Sequence, residues 1–88
     1  MQKIVRVSST SIPAATAGSI AKILRLDGCV QVQAMGAAAV NQAMKALAVA
    51  RKYMQSEESD LAVRPRFETV AENGSELTLT VLEVTKDQ

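Results

Sequence analysis

"CVQVQAMGAAAVNQAMKALAVARKYM", residues 29–54, holds two different periodicities separated by one glycine. Before Gly36, Val30 and Val32 alternate with Gln31 and Gln33, the two-residue period of a strand with one wetter face. After it, the run from Ala37 to about Met54 has no Pro or Gly and is rich in strong helix formers, which predicts a long helix. Ala39, Ala43, Ala46 and Ala50 recur at spacings of four, three and four, so one helical face is lined by methyl groups alone. Such a stripe lets the helix lie close to a sheet or to another helix. Met44, Leu47 and Val49 supply its bulk, while Asn41, Lys45 and Lys52 mark a polar side.

On the N-terminal side, "KIVRV" (3–7) reads as a short strand that ends in the polar "SSTS". "SIPAATAGSIAKILRLDG" (11–28) reads as an amphipathic helix with Ser11 as its cap, Pro13 in its first turn and Gly28 as its stop. Ala17, Ile20, Ala21 and Leu24 share its apolar face. On the C-terminal side, "LAVRPRFETV" and "ELTLTVLEV" flank Asn73-Gly74, the pair favoured in tight hairpin turns. Leu77, Leu79, Val81 and Glu83 fall on one face of the last strand and Thr78, Thr80 and Leu82 on the other. Pro65 has no N–H to give a ladder, which places the third strand at an edge or a bulge.

The order is therefore β-α-β-α-β-β. A strand, helix, strand series of this length makes a parallel pair through a crossover. The expected fold is α+β: a two-layer sandwich in which two helices cover one face of a four-stranded mixed sheet. With 88 residues, the chain has side chains for one core, so residues 1–88 are expected to form a single domain. Phe67 and Tyr53 are the only aromatics, which makes that core aliphatic and small. A homodimer would help a core so thin.

No apolar run approaches the roughly 20 residues of a membrane-spanning helix, and the N-terminal residues lack a secretory pattern. A cytoplasmic protein without membrane contact is expected. Cys29 has no second cysteine to pair with and reads as a small buried hydrophobe.

Catalytic chemistry is poorly supplied. With no His, a general base would have to be a carboxylate or a lysine of shifted pKa. The Cys and His clusters of zinc sites are missing, and "GAAAVNQAMK" lacks the second Gly and the Lys-Ser/Thr of a phosphate loop. Neither catalysis, metal, cofactor nor small-molecule substrate is expected.

Binding remains. Net charge is +1, but residues 1–55 carry +6 and the rest −5, which permits a basic face for a polyanion. Gly36 and Ala37 open the second helix, where unpaired backbone N–H groups attract anions. The same glycine and alanines would also serve a simple turn and close packing. Arg64 and Arg66 project to one face of their strand, positioned either to meet a nucleic-acid backbone or to pair with Glu68 and acids of the neighbouring strand.

"RVSSTSIPAATAGSIA" followed by "VQVQAMGAAAVNQAMKALAVAR" resembles the stage V sporulation protein S family of bacteria over nearly the whole chain. That family is similar in turn to the archaeal Alba chromatin proteins, which share this element order and bind DNA or RNA as dimers. The resemblance implies a non-enzymatic, nucleic-acid-binding regulator of sporulation or related development. It implies contacts from Gly36, Arg64 and Arg66, which match the places where Alba proteins approach nucleic acid; the candidate site taken with them comprises Ser9, Thr10 and Ser11 of the loop after the first strand, Ala37, and Asn41 and Lys45 on the polar side of the second helix. Ser9-Thr10-Ser11 stand where Alba proteins carry lysine, and Ala37 where they carry arginine. The alternative on the same fold is a protein-interaction regulator without nucleic-acid binding.

Overall fold

The computed structural model describes residues 2–87. Its elements are β1 (Ile4–Val7), α1 (Pro13–Asp27), β2 (Cys29–Ala34), α2 (Ala37–Gln55), β3 (Asp60–Glu72) and β4 (Ser75–Asp87). The sheet runs β1-β2-β4-β3, with β1 and β2 parallel and the other neighbours antiparallel. This is the expected mixed sheet, and Pro65 does lie on an edge strand, in register with Leu82.

Alternation along the strands assigns the two faces. Val7, Val30, Val32, Ala34, Leu82 and Val84 join the core with Ile20 and Leu24 of α1 and Leu47 and Met54 of α2, so both helices cover one face. Residues of the opposite face, Arg6, Gln31, Gln33, Glu83, Arg64 and Arg66, have no helix over them. Leu77 and Leu79 of β4 fall on this outer face, and the core takes Leu82 and Val84 instead.

The alanine stripe has a physical answer here. Ala43, Ala46 and Ala50 are fully buried and Ala39 nearly so, and α1, against which α2 packs, has its own fully buried alanines at Ala17 and Ala21. Methyl groups on both helices let the two lie side by side on a narrow sheet. Met44, expected to add bulk, is 51% exposed, because it falls outside this stripe.

Two local expectations are corrected. Ser11 does not cap α1; Ile12 holds the capping position, and Pro13 starts the helix one residue later than a Ser11 cap requires. The Ser11 hydroxyl instead accepts the Ser8 N–H at 2.9 Å. Cys29 is half-buried, since it opens β2 on the face that no helix covers.

Asn73 and Gly74 both take positive φ (52° and 76°), as a two-residue hairpin turn requires. The hairpin outlasts its neighbours: β2 ends at Ala34, paired with Thr80, whereas β3 and β4 continue together to Glu72 and Ser75. Residues 68–79 thus form a two-stranded arm beyond the rest of the sheet. The chain measures 46 × 26 × 16 Å, its long dimension close to the roughly 44 Å of a 13-residue strand. Among the described residues no helix is long and apolar enough to cross a membrane.

Candidate nucleic-acid interface

The C-terminal ends of the parallel strands β1 and β2 lie side by side, Val7 opposite Ala34. The loop after β1 and the turn after β2 therefore meet at one end of the sheet. In the loop, the Ser8 hydroxyl accepts the Thr10 N–H at 3.3 Å and shares hydrogen bonds with the hydroxyls of Thr10 (3.1 Å) and Ser11 (3.3 Å). Ser8, Ser9 and Thr10 are exposed and Ser11 is partly covered. Gln42, one turn into α2, donates its side-chain amide to the Ser11 carbonyl at 2.8 Å and ties loop to helix.

Gly36 sits at φ 85°, ψ 159°, a combination open in practice only to glycine. A Cβ there would meet no atom within 4 Å, so the requirement is conformational and not one of space. This backbone turns the chain from β2 directly into α2. Val40 N–H makes the first backbone bond, to Gly36 O at 3.0 Å, and no side chain caps the amides before it. Ala37 and Ala38 are exposed and leave that end uncovered.

Ala37, Asn41 and Lys45 follow at intervals of four along the exposed side of α2. Lys45 makes no ion pair among the described residues. Ser9, Thr10, Ser11, Gly36 and Ala37 are thus brought together at one end, with Asn41 and Lys45 running down from it. Arg6, two residues before the loop, is exposed, makes no ion pair among the described residues, and lies beside Gln33 in register. Its signal in the sequence was only its contribution to the basic half.

Arg64 and Arg66 are not part of that cluster. They lie on the outer face of the sheet body, opposite Glu83 and Val81. Arg66 donates to Glu68 at 2.8 Å and to Glu83 at 3.1 Å, which raises its pKa further above the ordinary guanidinium value. Glu83 also accepts amide protons from Gln2 (2.8 Å) and Gln31 (2.9 Å). Those two hydrogen bonds, then Arg66, hold its carboxyl below the usual range. Arg64 has no ion-pair partner among the described residues.

The basic first half is partly neutralised by the acidic second half. Arg25 makes a two-pronged contact with Glu57, and Arg51 does the same with Asp60 at 2.8 and 3.1 Å. The first pair pins the loop between α2 and β3 to α1, the second pins the start of β3 to α2, and both lower the carboxylate's pKa by hydrogen bonding to it. Among the described residues no group of three or more His, Cys, Asp or Glu side chains is placed to hold a metal ion.

A family model for stage V sporulation protein S (SpoVS) matches residues 3–87. The chain belongs to the SpoVS family. Its structure is similar to that of Alba from Thermoplasma volcanium, with a TM-score of 0.62 at 12% identity, covering 98% of this chain and 100% of that one. At that identity the likeness establishes the fold, which is Alba-like: β-α-β-α-β-β with both helices on one face of the mixed sheet.

Proposed function

We propose that this SpoVS-family chain is a small non-enzymatic regulator of sporulation or related development, acting in the cytoplasm as a homodimer that binds DNA or RNA. The observation that carries the reading is the Gln42–Ser11 hydrogen bond. It holds the hydroxyl loop against the uncapped start of α2, so that hydroxyls, free amides and the Lys45 stripe share one exposed end. These groups suit phosphate and carry no pattern for reading base edges, so binding runs through the backbone with little sequence preference. The nucleic-acid binding implied by the resemblance to Alba proteins agrees with this chemistry. Fewer cations at the loop mean fewer displaced counterions, each phosphate contact adding roughly 0.9 to the salt slope on duplex DNA.

Arg64 and Arg66 are assigned a secondary part, Arg64 as the freer of the two. Replacing both with alanine tests this against Lys45→Ala. The expected result is a larger loss of polyanion affinity from Lys45→Ala; a complete loss from the arginine pair alone would move the interface to the outer face of the sheet.

One observation favours the second reading, a protein-interaction regulator. The arm from Glu68 to Leu79 carries Glu68, Glu72 and Glu76 and neither Lys nor Arg, so it would repel a phosphate backbone.

A further inference from the structure

The projecting arm has a free inner edge. β4 pairs with β2 only as far as Thr80–Ala34, where β2 turns away at Gly36; from Ser75 to Leu79 β4 pairs with β3 alone. Five residues of strand, about 17 Å, therefore present one row of backbone groups with no strand beside them.

A groove of about 520 Å³ lies in this notch. Arg6 and Met35 line the wall formed by the ends of β1 and β2, and Val70, Glu72, Leu77 and Leu79 line the wall formed by the arm. The apolar residues Val70, Leu77 and Leu79 share the outer face, so an added strand would lay every second side chain along them. Met35 is 49% exposed at the mouth.

Charge selects the occupant. Glu68 is already held by Arg66, but Glu72 and Glu76 make no ion pair among the described residues, and the arm has no cation of its own. The sole cation lining the groove, Arg6, stands on the far wall. Two arms pairing edge to edge would bring these acids together, which disfavours a second copy of the arm. A nucleic-acid strand meets the same repulsion.

We infer that the notch beside Ser75–Leu79 is a docking site for an extended peptide segment of alternating basic and apolar residues in a partner protein, taken up as a third strand of the arm. Backbone pairing supplies register, the leucine face takes the apolar side chains, and Glu76, on the opposite face of the arm, receives the basic ones. The site adjoins the end surface assigned to nucleic acid but uses different groups, so either can exist without the other.

The test is a labelled, acetylated nine-residue peptide of alternating lysine and valine, titrated into the full chain. Two controls accompany it: the glutamate–valine counterpart, and a lysine-bearing version with proline at alternate positions, which cannot donate to a ladder. The lysine–valine peptide should bind at least about tenfold more tightly than either control, and Glu76→Lys should weaken it about fivefold. Amide resonances of residues 75–79 should shift on binding. Equal binding of the proline peptide, shifts confined to the helices, or no binding at millimolar peptide would overturn the assignment. So would concentration-dependent changes at 75–79 without peptide, which would make the edge a self-association surface. Glu76→Gln titrated with RNA keeps the two readings apart, since it should leave nucleic-acid binding undiminished.

Discussion

Gln42 reaches across from α2 and donates its side-chain amide to the Ser11 carbonyl at 2.8 Å, the one side-chain hydrogen bond among the described residues that fastens the loop after β1 to the second helix. Backbone of the loop and start of α2 are thereby held as one surface. Replacing Gln42 with alanine should cost about 1 kcal/mol, as loss of a half-buried hydrogen bond does. Amide hydrogen exchange in residues 9–12 should rise while that in β4 stays unchanged, and polyanion affinity should fall with it.

Gly36 is the hinge of the same surface. Its φ of 85° with ψ of 159° strains any side-chain-bearing residue, so Gly36→Ala should destabilise by about 1–3 kcal/mol even though a Cβ has room there. Thermal denaturation checks this. A neutral outcome would mean that the turn relaxes into ordinary backbone and that the glycine is not required.

The alanine seam predicts an asymmetry around α2. Ala43→Leu forces three more carbons into a fully buried contact and should cost about 1–3 kcal/mol, whereas Ala48→Leu on the exposed side should stay within about 0.5 kcal/mol of neutral. Urea unfolding of both variants measures the difference. Similar losses would contradict the close approach of α2 to its neighbours.

Acid should loosen the outer face and the α2–β3 loop together. The carboxyls of Glu83, Asp60 and Glu57 all sit below their ordinary values, through hydrogen bonds from Gln2, Gln31 and Arg66, from Arg51 and the Leu61 N–H, and from Arg25 respectively. A lowered folded pKa means stability that is present in full above the ordinary carboxylate range and lost as pH falls through the folded values. Melting temperature should therefore be flat near neutrality and decline below the ordinary carboxylate pKa. Glu83→Gln should have a shallower decline than the parent chain.

Much of this architecture was legible in the residues, for reasons that can be stated one by one. The switch of period at Gly36 marked β2 and α2, Asn73-Gly74 marked the hairpin, and Pro65 marked an edge, because each reports a backbone constraint that acts locally. The start of α1 was misjudged by one residue, since Ser11 can cap a helix or close a loop and the choice depends on Ser8. The burial of Cys29 and Met44 was misjudged because it depends on which face the helices cover and where α2 is rotated. In the candidate site, the loop and the Gly36 turn were grouped through the resemblance to Alba proteins, and the parallel β1–β2 pairing gives the physical reason that they meet. The Gln42 tether was not legible: it joins residues 31 apart in sequence and leaves no local pattern. The acidic arm was visible as charge, but its separation from the sheet body depends on where β2 stops, which only the strand register reveals.

The most direct test of the central claim is fluorescence anisotropy of labelled duplex DNA, single-stranded DNA and RNA, titrated with the purified chain at two salt concentrations. The account predicts saturable binding to at least one polymer, weakened by salt with a shallow slope, insensitive to base sequence and reduced by Lys45→Ala. Flat titrations at low salt with a folded chain would contradict it and leave the arm as the functional surface.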